Sequence, residues 1–485
     1  MDGRIILFII ISYFGLLLLI AWITGRKSSN NDAFFLGNKQ SPWYIVAIGM
    51  IGSSLSGVTF VSVPGLVRQM DMTYMQMIIG FFFGYILIAK ILLPLYYKLK
   101  LTSIYSYLDK RIGRGGYKTG AGFFLLSKII GAAARLYLVV WILQTYVFDR
   151  WQIPFVATAV ISIALVWLYT FRSGIKTIVW TDTLQALCLI AMLVGIIWQV
   201  KDRMGLDLGG MVQTITENPH SRIFEWTDWS STQHFVKQFL SGIFIVIVMT
   251  GLDQDMMQKN LSCRNLKDAQ RNVYTYGFAF LPINFLFLCL GVLLLTLASQ
   301  QGIALPESGD DILPLFCTSG MLGYTVPVFF TIGIIAAAFS SADSALTALT
   351  TSFCVDILGI EKDETNKAKR TRIGVHLLMS VLFVLIILLF RAVNSRSLID
   401  AIYMIASYTY GPLLGLFAFG LFTKRRPVNR YVPYICIAAP LICFATDYLV
   451  FRYTGYRFGY EILMLNGAIT FAGLSVRSTK IENKE

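Results

Sequence analysis

Runs of about 20 apolar residues, joined by short polar connections, constrain this chain more than any other feature. A run of that length crosses the hydrocarbon layer of a bilayer, roughly 30 Å, as a helix. Spans are read at 5–24, 42–66, 73–97, 119–148, 153–170, 176–200, 234–257, 273–298, 324–355, 373–391, 397–422, 430–450 and 457–476, thirteen in all. The first is too long for a signal-peptide core and lacks a small-residue cleavage site, so it stays as a span. The chain is 56% hydrophobic and 14% charged, with a mean hydropathy of +0.65. Soluble domains carry about 25% charged residues. The runs do not alternate as barrel strands would. An all-α, multi-pass membrane protein is expected, one transmembrane domain over 1–485, with the lipid bilayer as its surroundings.

The formal net charge of +14 raises the question of nucleic acid, but the basic residues fall in alternate short loops. One set holds Arg26, Lys27 and Lys39; Lys98 to Lys118; Arg172 and Lys176; Lys259, Arg264, Lys267 and Arg271; Lys362 to Arg372; and Lys424 to Arg430. The loop 299–314 between them has no Lys or Arg and carries Glu307, Asp310 and Asp311. The positive-inside rule then places the N-terminus outside and the C-terminus in the cytoplasm. No nucleic-acid partner is implied. Seven cysteines without a CxxC indicate neither a disulfide framework nor a zinc site.

Thr331 to Ser352 is long enough to span, yet hydroxyls and a carboxylate run through its middle. At about 100° per residue, Ala337, Ser340, Ser341, Ser344 and Ala348 form one stripe, with Asp343 at its edge. The stripe suits either close helix packing, with serines bonded to their own helix, or an oxygen-lined cation site. A carboxylate at membrane depth costs about 3 kcal/mol, so it has a partner or a job.

Two spans read as interrupted. In 42–66, Gly49, Gly52, Gly57 and Pro64 sit among Ser53, Ser54, Ser56 and Thr59; in 234–257, Gly242 and Gly251 flank a run ending in Thr250, Gly251, Leu252 and Asp253. Setting the first helix aside, these are the first and sixth spans of a ten-span core. Broken helices at matching positions of two halves point to an inverted-repeat transporter, and their bared carbonyls are tolerated where they line a cavity or hold an ion.

GSSLSGVTF (52–60), LTSIYSYLDKR (101–111), GIKTIVWTDTLQ (174–185), DQDMMQKNL (253–261) and AAAFSSADSALTALTTSFCVDIL (336–358) together resemble the sodium/solute symporter family. The branches nearest in look are the bacterial sialic acid symporters, then the sugar symporters. The resemblance implies the leucine-transporter fold: five-plus-five inverted repeats, over about 42–200 and 234–422, with flanking helices at about 5–24, 430–450 and 457–476. It implies Na⁺ as coupling ion and no cofactor. By position it carries a first sodium site onto the Gly52, Leu55 and Ala337 carbonyls and the Ser340 and Ser341 hydroxyls. A second, between the fifth and eighth core helices, falls on Asp182, Ser341 and Ser344. Asp343 stands where the sialic acid branch has a serine; it strengthens that site, turns it toward protons, or pairs with another helix. Asp182 is otherwise a structural carboxylate bonded to Thr181, Gln185 or a backbone N–H.

Solute-site candidates by position are Ser56 and Thr59, Tyr74 and Gln76, Arg135, Met249 and Thr250, and Ser407, Tyr408 and Tyr410. Arg135 lies mid-span in GAAARLYLVV and needs an anion there. The sialic acid branch holds its substrate carboxylate with an arginine of this helix, but that position here is Ala132, one turn earlier. Arg135 either serves a carboxylate from a shifted place or pairs with Asp182 or another acid. The sixth core helix lacks the asparagine and aromatic residues that contact sugar in the sugar symporters.

The resemblance thus implies a sodium-coupled importer of a small polar organic solute, anionic and sialic-acid-like or a sugar, acting as a monomer by alternating access. A membrane enzyme would want clustered acid–base groups at one face. The chain has three histidines, His220, His234 and His376, far apart, and no HExxH, P-loop or GxSxG. A sensor would append a signalling domain, for which the tail 477–485 is too short.

Overall fold

The computed structural model describes residues 3–25, 31–171, 174–360, 365–392 and 398–480. Arg26, Lys27, Arg172 and Lys362, expected in basic loops, lie outside these. The described chain is helical apart from a two-stranded antiparallel ribbon, β1 (Arg425–Pro427) with β2 (Ser478–Lys480). Among the described residues, seven helices are long and apolar enough to cross a membrane, or nine counting two bent pairs, and four shorter apolar helices accompany them.

The helices that build the site are α1 (Gly3–Gly25), α2 (Trp43–Ser54), α3 (Gly57–Met70), α4 (Tyr74–Leu87), α5 (Arg114–Leu143), α6 (Phe155–Thr170) and α7 (Ile175–Arg203). They continue with α8 (Phe235–Gly251), α9 (Gln254–Leu261), α10 (Leu266–Gln301), α11 (Val326–Leu358), α12 (Asn366–Ala392), α13 (Leu398–Thr409), α14 (Gly411–Phe422), α15 (Val432–Thr454) and α16 (Ile462–Val476). In the most apolar stretch of α11, 83% of residues are buried, against 17% for α15. The hydroxyl-bearing helix is therefore central, and α15 shows most of its apolar surface outward.

The expected first break is present. α2 stops at Leu55, Ser56 is extended (φ −69°, ψ 168°), and the Ser56 hydroxyl caps α3 by accepting from Thr59 N. Glycine is needed beside it: a Cβ on Gly52 would sit 2.9 Å from the Asp182 carbonyl oxygen of α7. The second break bends the chain by 64° between α8 and α9. Asp253, extended at φ −105° and ψ 122°, caps α9 by accepting from Asp255 N and Met256 N. Gly242 does not break the helix. It lets α8 cross α4, since a Cβ there would lie 2.2 Å from the Met77 carbonyl oxygen. The span read as continuous over 397–422 is also broken, with a 44° bend between α13 and α14. Pro412 in the first turn of α14 supplies no N–H to the preceding turn. Asn466 of α16 donates instead to the Ser407 and Tyr408 carbonyls, at 3.2 and 2.8 Å.

Candidate functional site

Carbonyls freed by a break inside a membrane protein need partners. At the second break the Tyr96 hydroxyl donates to Gly251 O (2.9 Å) and the Tyr105 hydroxyl to Leu252 O (2.8 Å). Asn466 serves the third. At the first break, among the described residues, no side chain bonds the Gly52 or Leu55 carbonyl, and Ser341 reaches Ser53 O only at 3.4 Å. That break therefore leaves the Gly52 and Leu55 carbonyls free of side-chain bonds, in a helix interruption that Ser341 of the stripe on α11 reaches at Ser53 O.

Asp182 of α7, fully buried, ties the two together. Its Oδ1 accepts from the Ser340 hydroxyl at 2.6 Å; its Oδ2 accepts from Ser53 at 2.9 Å and Ser344 at 3.2 Å. Ser340 gives its proton to the carboxylate and keeps its lone pairs for a cation, whereas the single Ser344 proton lies between Asp182 and Asp343, 3.2 Å from an oxygen of each. Lys259 of α9 completes the group: its ammonium lies 2.8 Å from Asp182 Oδ2 and also donates to the Ser53 hydroxyl. Lys259 was expected in a basic loop, but it is 1% exposed. The turn of α9 carries it inward, because the Asp253 cap redirects the chain. Asp343 accepts from the Tyr169 hydroxyl of α6 at 2.9 Å and from Ser344 at 3.2 Å.

Beside this group lies a cavity between α3, α5, α8, α9 and α13. Thr59, Arg135, Met249, Thr250 and Tyr410 line it, with Tyr403 and Ser341. A second charge cluster forms part of the wall: Lys128 of α5 meets Asp253 at 3.1 Å and Asp255 at 2.8 Å, and the Tyr410 hydroxyl donates to Asp253 at 2.7 Å. Arg135, half-buried, makes no ion pair or hydrogen bond among the described residues.

The sequence profile of the sodium:solute symporter family matches residues 34–430. The chain belongs to that family. This symporter is 25% identical to the sodium/sialic acid symporter SiaT of Proteus mirabilis, over 89% of this chain and 87% of that one. It is also 25% identical to the sodium/sialic acid symporter NanT of Aliivibrio fischeri, over 86% and 83%. A solved Na⁺-coupled sialic acid symporter, in a substrate-bound outward-open state, superposes with a TM-score of 0.79 at 22% identity over 99% of each chain. The shared architecture is that of the leucine-transporter fold, as the resemblance implied. The protein is a Na⁺-coupled symporter, a multi-pass membrane transporter rather than an enzyme, and Na⁺ is its coupling ion.

The symporter does not bring every predicted side chain to the cavity. Ser56 is spent as a helix cap. Gln76 is fully buried but holds the loop ahead of α8, donating to Gln233 O (2.9 Å) and accepting from Glu225 N (3.1 Å). Tyr74 is bonded to the cavity-lining Tyr403, hydroxyl to hydroxyl at 2.9 Å. The Ser407 hydroxyl bonds its own helix at Tyr403 O. The Tyr408 ring faces away, 6.5 Å from Phe444 of α15. Sequence reasoning missed Ser53, Lys128, Asp255 and the inward Lys259. For Asp255 and Lys259 the signal was the polar run DQDMMQKNL closing an otherwise apolar span; for Lys128 it was a lysine inside the span 119–148, and Ser53 was noted only among the hydroxyls of the first break.

Proposed function

We propose that this symporter imports a small polar organic anion bearing a carboxylate, with two Na⁺ per cycle. The observation that carries the anion is Arg135: a guanidinium in the cavity wall with no acid within ion-pair distance among the described residues. A cation at that depth without a protein partner is costly, and a carboxylate presents two oxygens in the geometry of its fork. The sialic acid transported by the relatives named above is one such anion. Lys128 does not compete for this role, since two aspartates already hold it.

The first sodium takes the Gly52, Leu55 and Ala337 carbonyls and the Ser340 and Ser341 hydroxyls. Support comes from the unclaimed carbonyls of the first break, next to hydroxyls that keep their lone pairs. A second ion draws on the group Asp182, Ser341, Asp343 and Ser344. Thr59, Arg135, Met249, Thr250 and Tyr410 contact the solute. Thirteen crossings arranged as five-plus-five repeats over 42–200 and 234–422, an outside N-terminus, a cytoplasmic C-terminus and a monomer in the cell membrane complete the reading. With Lys259 removed from it, the basic loop still holds Arg264, Lys267 and Arg271, so the charge alternation stands.

Uptake into proteoliposomes tests it, with sialic acids, other monocarboxylates, sugars and amino acids offered with and without an inward Na⁺ gradient. Na⁺-dependent accumulation of a carboxylate is expected; Na⁺-dependent uptake of neutral sugars alone would refute the anion.

A further inference from the structure

Away from the solute cavity, a crevice opens between α1, α5, α6 and α11. Nine of its eleven lining residues are apolar; the exceptions are Thr158 and Ser162 of α6. The Thr158 hydroxyl is already given to the Gln144 side chain. The crevice has a volume of about 60 Å³, where a single water needs about 10–15 Å³. Water there would lack the polar partners that hold a buried water in place, so the space suits an apolar occupant.

Depth narrows what that occupant is. Phe14 stands at the middle of α1, Ile161 and Ser162 at the middle of α6, and Phe339 near the middle of α11. Ile161, at the rim, is 55% exposed toward the surroundings of the helices. Around the middle of a membrane-spanning helix those surroundings are acyl chains. The lining runs along α6 as far as Leu165, ten residues from Phe155 at its start, or about 15 Å. Half of the hydrocarbon layer is also roughly 15 Å. The crevice therefore covers the depth that one acyl chain covers in one leaflet.

A cation stands where the headgroup of such a lipid would lie. Phe155 shares a helix face with Thr158 and Ser162, three and seven residues further on. The Arg391 guanidinium lies over the Phe155 ring, 4.6 Å from its centroid. Arg391 is in the last turn of α12 and exposed, with no acid within 4.0 Å among the described residues. Asp149, ahead of α6, accepts instead from the Gln144 amide. Trp151, also just ahead of α6, is 40% exposed, as an aromatic at the membrane–water boundary is.

We propose that this crevice is a phospholipid site: one acyl chain fills it to mid-membrane depth, and the phosphate takes the Arg391 fork. A void forfeits the dispersion contacts of the atoms that line it, and a chain restores them. The planar guanidinium offers parallel donors to two phosphate oxygens. Phe14 and Phe339, both in the lining, meet edge to face with centroids 4.8 Å apart, so the chain also bears on the helix that carries Ser340.

Photolabelling of the purified full chain tests it, with a phosphatidylglycerol that carries a diazirine midway along one acyl chain. Saturable label is expected in residues 158–165 and 335–339. Unlabelled phosphatidylglycerol should compete for it and the matched diacylglycerol should not. The outward face of α15 serves as a control, because label from bulk lipid does not saturate there. Ser162→Leu fills the crevice and should abolish its label while that on α15 remains. Arg391→Gln should weaken the apparent affinity about tenfold, the effect of one lost charge-assisted bond. If Ser162→Leu does not fold, Arg391→Gln, a change to an exposed side chain, decides. Crevice label that is absent, does not saturate or persists in Ser162→Leu would overturn the site. Equal competition by diacylglycerol, or unchanged affinity in Arg391→Gln, would overturn the assignment of the phosphate to Arg391.

Discussion

Arg135→Lys keeps a positive charge in the cavity wall and removes the planar fork that matches a carboxylate. Arg135 sits one turn beyond Ala132 on α5, in a wall shared with Thr59, Thr250 and Tyr410. The nearby Asp255 is already engaged by Lys128 at 2.8 Å, so Arg135 retains both its charge and its donors for solute. A hydrogen bond to a charged group contributes about 1.5–3 kcal/mol. Replacing two parallel bonds with one therefore raises KM by roughly 10- to 150-fold. Arg135→Met loses both bonds and the charge, and should bring carboxylate uptake down to leak. Initial rates in proteoliposomes at saturating Na⁺ give KM, and ²²Na⁺ binding without solute is measured on the same preparations. The reasoning fails if KM for the anion moves less than threefold, or if Na⁺ binding collapses together with uptake. The latter would make Arg135 a structural partner of the ion region.

Ser340→Ala with Ser341→Ala removes two oxygens from the first sodium site and should abolish Na⁺-driven uptake in a protein that still folds; unchanged Na⁺ dependence would show the site is misplaced. Lys259→Met strands the Asp182 carboxylate in the interior and should cost about 3–5 kcal/mol of stability, most of it restored by adding Asp182→Asn. Thermal unfolding of the single and double variants in detergent reads this coupling, and additive losses would contradict the pairing. Asn466→Ala leaves the Ser407 and Tyr408 carbonyls unsatisfied at the third break and should destabilise by about 1–3 kcal/mol in the same assay; an unchanged melting temperature would mean another group satisfies them.

The architecture was legible in the sequence because membrane helices need long apolar runs and leave their charges in loops. The first break was equally plain, since Gly52, Ser56 and Gly57 combine missing side chains with a helix-capping hydroxyl. The second was placed within a few residues, but for a partly wrong reason: Gly242 is a crossing point, and the cap at Asp253 makes the bend. The third went unseen, although Gly411-Pro412 is a dipeptide that commonly ends a helix. Lys259 misled because a lysine closing an apolar span ordinarily marks the membrane edge. Its burial depends on a carboxylate on another helix, and no local pattern encodes that. Ser56, Gln76, Ser407 and Tyr408 make other contacts for a simpler reason: position along a helix says little about which way a side chain turns.

The Lys259–Asp182 pair bears on the part of the cycle in which the carrier returns without its cargo. A charge carried across the membrane field gains or loses about 2.3 kcal/mol per 100 mV. A naked carboxylate at Asp182 would make an unloaded carrier pull against the membrane potential each time it reset. With an ammonium fixed 2.8 Å away, that carboxylate travels as a dipole and contributes almost nothing to the return current. The Asp182 carboxylate should then add little to presteady-state currents recorded without Na⁺. In the Lys259→Met variant the same recordings should reveal a charge movement that wild type conceals.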